Sequence, residues 1–220
     1  MTETASRPRR RAPRHTLDRD TIAAAALDLM DAEGLGALTI RALATRLGVA
    51  PMALYNHAAT KDEILDAALE RALAPLAGAD PGPDGDPWWE RLRRINIAFH
   101  CALVDHPSLV PLLVSRPLAG PTPIGAAEAQ VRVLTEAGFS PAEAAHAHLA
   151  LLHYGIGHAA WTSPRGESAA ASRAALTRLP ADRYPTLHAL AEPLAAATHA
   201  EDQYAYGLDL MLDALRRARE

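Results

Sequence analysis

The 220-residue sequence predicts an all-α protein: an N-terminal three-helix unit built around a helix-turn-helix, joined by a connecting helix to a larger helical domain. Three observations carry this. Ala, Leu, Arg and Glu are strong helix formers and abundant, and the chain is 49% hydrophobic, enough for a substantial core. Apolar residues recur at spacings of three and four, while β-branched runs bounded by turn residues do not occur. Thr60-x-x-Glu63, Ser140-x-x-Glu143 and Thr198-x-x-Glu201 have the form of capping boxes, which open helices.

The first helix should start at the N-cap Asp18 and stop at Gly34, with Ile22, Ala25, Ala26, Leu29 and Met30 on its inner face. Thr39 caps a second helix whose Ile40, Leu43 and Leu47 face inward, and Gly48 ends it. Pro51 suits the first turn of a third helix, Pro51 to His57, with Leu54 as its core plug. Thr60-Lys61-Asp62-Glu63 opens a connecting helix striped by Ile64, Leu65, Ala68, Leu69 and Leu73. Residues 78–87, G-A-D-P-G-P-D-G-D-P, break the composition sharply and read as a linker. The division is therefore residues 1–16, 17–77 and 78–220.

Beyond the linker, Asp86-Pro87 should start a helix carrying Trp88, Leu92, Ile95, Phe99 and Leu103 on one face. A short helix over 108–114 and another from Ile124 to Ala137 follow. The helix from Pro141 to Trp161 carries two stripes. Ala145, Leu149, Leu152 and Ile156 form one, expected to face the core. His146, Ala150, His153, Gly157 and Trp161 form another, suited to close approach of a further helix or to a cavity wall. Residues 163–172 read as a loop, a short helix falls near 174–179, and residues 184–197 give no clear pattern. The last helix, opened by Thr198, has the stripe Tyr204, Leu208, Met211 and Leu215 and a basic end that complements its dipole.

Charge is unevenly spread over a net −4. Residues 1–16 hold Arg7, Arg9, Arg10, Arg11 and Arg14 against Glu3, a basic arm expected to be disordered. Residues 36–61 carry Arg41, Arg46 and Lys61 and no acid, the local basic surface that nucleic acid selects. The single Cys101 excludes an intramolecular disulfide. No run approaches the ~20 apolar residues of a membrane span, so a cytoplasmic protein without a membrane partner is expected.

Residues 18–65 resemble the DNA-binding domain of the TetR family of bacterial transcriptional regulators. The resemblance is carried by L-T-I-R-A-L-A-T-R-L-G-V at 38–49, A-L-Y-N-H at 53–57 and T-K-D-E-I-L at 60–65. More loosely, residues 99–161 resemble the ligand-binding domain of the tetracycline repressor subgroup, through F-H-C-A-L-V-x-H-P, S-R-P at 115–117 and E-A-G-F-S at 136–140. The resemblance implies that Thr39 and Arg41 meet DNA at the start of the second helix. It makes Pro51, Met52, Ala53, Tyr55, Asn56 and His57 the recognition surface and Lys61 a phosphate ligand. Tyr55 and His57 can reach phosphates, Met52 and Ala53 suit thymine methyls, and Asn56 suits adenine. Few hydrogen-bonding groups are left near Ala50, Pro51 and Ala53, so DNA shape should carry part of the specificity.

The resemblance further implies a homodimer on a palindromic double-stranded operator, with residues 78–220 for ligand binding and dimerisation and a small molecule that releases the repressor. The dimer contact should lie on the Pro141–Trp161 and last helices. His100, Arg116, His153, Tyr154 and Trp161 are the candidate pocket residues. The tetracycline repressor binds a magnesium–drug chelate, but Leu112 stands where its metal-site His would be and no acid lies near Trp161, so tetracycline is not the expected ligand. The alternative is a dimeric DNA-binding protein with no effector. An enzyme is not expected. Among His100, His106, His146, His148, His153 and His158, the pair His146 and His153 shares a helix face, but seven residues span about 10.5 Å, too far for one metal. No H-E-x-x-H, C-x-x-C or Ser/His/Asp pattern occurs, and no cofactor is expected.

Overall fold

The computed structural model describes residues 17–77, 85–116, 120–162, 168–198, 200 and 202–219. The basic arm at 1–16, residues 78–84 of the linker and residues 163–167 of the loop lie outside the described residues. Among the described residues every regular element is helical, and no single helix is long and apolar enough to cross a membrane.

Helix α1 (Arg19–Glu33) begins where Asp18 accepts a 2.7 Å hydrogen bond from the Thr21 N–H and ends at Gly34. That bond, with the Thr21 hydroxyl, holds the Asp18 carboxyl below its usual range. Helices α2 (Ile40–Leu47) and α3 (Pro51–Tyr55) form the helix-turn-helix, and α4 (Lys61–Ala72) packs along α1. Ile22, Met30, Leu38, Leu43, Leu54, Ile64 and Leu69 are sealed between them. This small core does not stop at the end of α4. Through Leu73 and Leu76, on the short α5 (Ala74–Ala77), it runs into Phe99, Ala102 and Leu103 of α6 (Trp88–Asp105) and Leu109, Leu112 and Leu113 of α7 (Leu109–Ser115).

Polar ties follow the same seam. Asp31 at the end of α1 binds His106 at 2.7 Å and accepts the Ser108 hydroxyl, both in the α6–α7 turn. Arg116, just past α7, reaches Asp66 at 2.8 Å and Asp62 at 3.6 Å on α4. Glu70 of α4 accepts the Thr122 N–H at 2.7 Å, placing a carboxylate at the start of α8 (Pro121–Glu136).

A second core joins α6 and α8 to α9 (Pro141–Thr162) and α13 (Gln203–Arg217), around Leu92, Val133, Leu134, Leu151, Tyr204 and Leu208. The capping box at the start of α9 forms reciprocally, with the Ser140 N–H donating to Glu143 at 2.8 Å. Between α9 and α13 lie α10 (Ala169–Thr177), α11 (Pro185–Ala189) and α12 (Ala191–Thr198), which pack chiefly on one another.

Several expected boundaries and faces are corrected. The third helix ends at Tyr55, since the His57 and Ala58 N–H groups fold back onto the Leu54 carbonyl. Asp86 does not cap α6 but pairs with Arg94 at 2.7 Å. Thr198 closes α12, its hydroxyl donating to the Leu194 carbonyl, so the last helix starts at Gln203. On α9 the buried face is Ala144, Ala147, Leu151, Gly155 and Ala159, while Ala145 and Leu149 point outward. On α13 Tyr204 and Leu208 are consumed by the chain's own core, leaving Tyr206 and Leu210 exposed instead.

Candidate nucleic-acid interface and ligand cavity

The helix-turn-helix is assembled by local bonds. Thr39 accepts the Ala42 N–H at 3.1 Å, fixing the entry into α2 and leaving Arg41 exposed on its first turn. Gly48 takes φ +66°, ψ +32°, the left-handed conformation that reverses the chain cheaply only without a Cβ. The Val49 N–H then reaches back to the Ala44 carbonyl at 3.0 Å, closing a Schellman-type turn. Pro51 starts α3 without an N–H to satisfy.

On α3 and the turn after it, Leu54 is fully buried and everything else is available. Met52 is 73% exposed, Pro51, Tyr55, Asn56 and His57 are exposed, and Ala53 is half-buried. Lys61 occupies the first position of α4, exposed, beyond a cap in which the Glu63 N–H donates to Thr60. Among the described residues neither Arg41 nor Lys61 meets a carboxylate, whereas Arg46 lies 4.0 Å from Asp28. The result is an apolar tip of Pro, Met and Ala with cations and hydrogen-bonding side chains at its margins.

In the larger domain, about 380 Å³ of unfilled space, partly open to solvent, lies between α5, α6, α8 and α9. Leu73, Leu76, Ile95, Phe99, Pro123, Ala126, Ala127 and Leu152 supply its apolar walls, and Asn96, Gln130 and His148 its polar ones. None of the five residues expected in a pocket lines it. Arg116 is engaged by Asp62 and Asp66, and His153 and Trp161 lie on the exposed face of α9. His100 and Tyr154 belong to an aromatic cluster on the α13 side of α6 and α9. There His100 stacks on Tyr204 at 3.7 Å between ring centres and bonds His158 at 2.9 Å, and Tyr154 stacks on the other ring contact of Tyr204 at 5.1 Å. Burial, reinforced by His158, lowers the His100 pKa to about 4, so His100 is neutral at neutral pH. The residues missed had a faint signal: Asn96 and Gln130 are polar residues spaced like core positions, beside Ile95 and Phe99 and ahead of Val133 and Leu134.

Among the described residues no three His, Cys, Asp or Glu side chains are placed to hold a metal. The architecture, a helix-turn-helix unit whose core is continuous with a cavity-bearing helical domain, defines a DNA-binding transcriptional regulator of the ligand-binding kind.

Comparison with known proteins agrees. Residues 22–68 match the family described as bacterial regulatory proteins, tetR family, and residues 80–219 match the tetracyclin repressor-like C-terminal domain. The chain belongs to the TetR family. It is 34% identical to an HTH-type transcriptional regulator of Saccharopolyspora erythraea over 73% of this chain and 67% of that protein. It is 30% identical to the HTH-type transcriptional repressor DrrR1 of Streptomyces coeruleorubidus over 97% of this chain and 82% of the repressor. Among solved structures, the TetR family protein ActR of Streptomyces coelicolor in complex with actinorhodin superposes with a TM-score of 0.79 at 26% identity, covering 93% of this chain and 97% of ActR.

Proposed function

We propose that this regulator is a cytoplasmic repressor that binds a palindromic operator as a homodimer and is released by a small molecule. The observation that carries the DNA half is the arrangement of α3, where one buried leucine anchors a helix whose remaining side chains are offered outward between Arg41 and Lys61. Thr39, Arg41, Tyr55, His57 and Lys61 are the backbone grips, and Met52, Ala53 and Asn56 read bases, with Pro51 setting the approach. One such unit grips little DNA. Two units spaced roughly 34–36 Å apart meet successive major grooves.

Support for the dimer comes from α9 and α13, where Leu149, Trp161, Tyr206 and Leu210 leave apolar surface on adjoining helices. Support for an effector comes from the cavity and its position against α5, directly beyond the helix that carries Lys61. A ligand releases DNA only through different affinity for the two spacings of the DNA-binding units. The printed ligands of ActR, actinorhodin and (S)-DNPA, make aromatic compounds the sensible first panel. An effectorless dimer leaves the cavity without a purpose and ranks second.

Selection of bound DNA from a random pool, repeated with candidate ligands, tests the reading. Enrichment of a two-fold symmetric site that is lost with a ligand is expected. A pool without symmetric enrichment would sink the operator and the dimer together, and an operator indifferent to every aromatic ligand would leave the effectorless dimer.

A further inference from the structure

Asn96 is an anomaly in the cavity wall. It is 1% exposed, on the inner face of α6 between Leu92, Ile95 and Phe99. Its Nδ2 donates to the Leu92 carbonyl at 2.8 Å, which fixes the amide orientation and leaves Oδ1 as the free end. That Oδ1 is fully buried and has no hydrogen-bond partner. A buried acceptor left unpaired is a net cost to the fold, so its retention in a cavity points to a ligand that supplies the missing donor.

The neighbouring polar groups refine the chemistry. Gln130 is buried on α8, and its Oε1 lies 2.8 Å from Nδ1 of His148 on α9. An amide oxygen can only accept, so Nδ1 carries the proton and donates, and Nε2 of His148 is left as an acceptor. Burial first, and the charge of His153 second, push the His148 pKa down, so the ring is neutral at neutral pH. No lining residue carries a formal charge then, and an ion entering this cavity would lose its hydration without a counter-charge.

Resting on the effector reading above, we infer that Asn96 Oδ1 is the recognition acceptor of this cavity and that its ligand is a neutral, largely apolar ring compound bearing an O–H or N–H donor. Anionic and metal-chelated ligands are selected against. The Gln130–His148 pair fixes the second polar contact and the plane of the ring.

Three matched probes test this on the full-length protein: 1-naphthol, 1-methoxynaphthalene and 1-naphthoate, with binding followed by isothermal calorimetry. The naphthol should bind at least about tenfold tighter than the methyl ether, which has lost only its donor, and tighter still than the anion. Asn96→Leu should erase the naphthol preference while leaving methyl ether affinity within about twofold, and should not lower the melting temperature of the unliganded protein. Equal binding of the three, preference for naphthoate, absence of naphthol binding at millimolar concentration, or an unchanged preference in Asn96→Leu would overturn the inference. The probe comparison in the unmutated protein needs no substitution, so it stands even where Asn96→Leu disturbs folding. Operator binding measured alongside keeps the two readings apart. Naphthol bound through Asn96 without change in DNA affinity supports the cavity chemistry and defeats release by ligand, whereas release by a naphthoate-like anion defeats the cavity chemistry and upholds release.

Discussion

The residues of the reading surface divide into those that grip and those that choose. Lys61→Ala should weaken binding about equally on every DNA sequence and reduce the salt dependence by about one counterion, measured by titration across ionic strengths. Asn56→Ala should instead cost ~1–3 kcal/mol at one operator position, seen as relaxed preference there in competition binding. Equal loss on all sequences would make Asn56 a positioning residue. Away from DNA, His100 sets a pH response. Its unfolded form takes a proton near 6.5 and its folded form only near 4, so between those values protonation favours the unfolded chain. Stability should fall as pH drops through that window, and His148 and His158, lowered by burial, act in the same direction. Urea midpoints at pH 7 and 4.5 measure the effect, and His100→Phe should flatten it. The DNA surface was legible because its residue types sit in a short motif. The cavity was not, because Leu73, Asn96, Gln130 and His148 come from four separate segments and acquire a common wall only on packing.

At the scale of elements, legibility followed the range of the interactions. Helices α1 to α4 announce themselves through Asp18, Thr39, Gly48 and Thr60, whose bonds lie within five residues. The inner face of α9 was misread because Ala144, Ala147, Gly155 and Ala159 look weakly hydrophobic beside Leu149. Small size is what that face requires, since Phe99 and Tyr204 press against Gly155. Similarly, α13 comes so close to α9 at Gly207 that an added Cβ would overlap the Tyr154 ring and hydroxyl. Tyr154 is held there by a 3.1 Å bond to the Tyr204 carbonyl. Gly207→Ala should therefore destabilise the fold by ~1–3 kcal/mol despite its better helix propensity, measured by chemical denaturation. A neutral or stabilising result would mean that the two helices can part without loss.

For the whole molecule, continuity of the core from Leu54 to Phe99 and Ala159 means that the DNA-binding unit moves only as its neighbours allow. Arg116 on Asp62 and Asp66, and Glu70 on the start of α8, fasten α4 at intervals of one turn to the elements around the cavity. Dimerisation is expected to decide whether two such units reach the operator together. Leu210→Lys, at a side chain 52% exposed, should leave the monomer folded but shift sedimentation to the monomeric species and weaken operator binding at least about tenfold. A dimer of undiminished affinity would remove α13 from the interface.

The segment from α10 to α12 has a consequence for exchange of its backbone hydrogens with solvent. Only Ala191 and Ala195 are buried there, while Tyr184, Leu187, Leu190 and Leu194 remain exposed. Three helices of nine, five and eight residues with so little buried between them lie below the length at which isolated helices persist. They should open independently of the rest, and their amides should take up deuterium orders of magnitude faster than those of α1 or α9 when the protein is diluted to monomer. Slowing of that uptake at high concentration, confined to residues 169–198, would mark this segment as one that owes its order to a second chain.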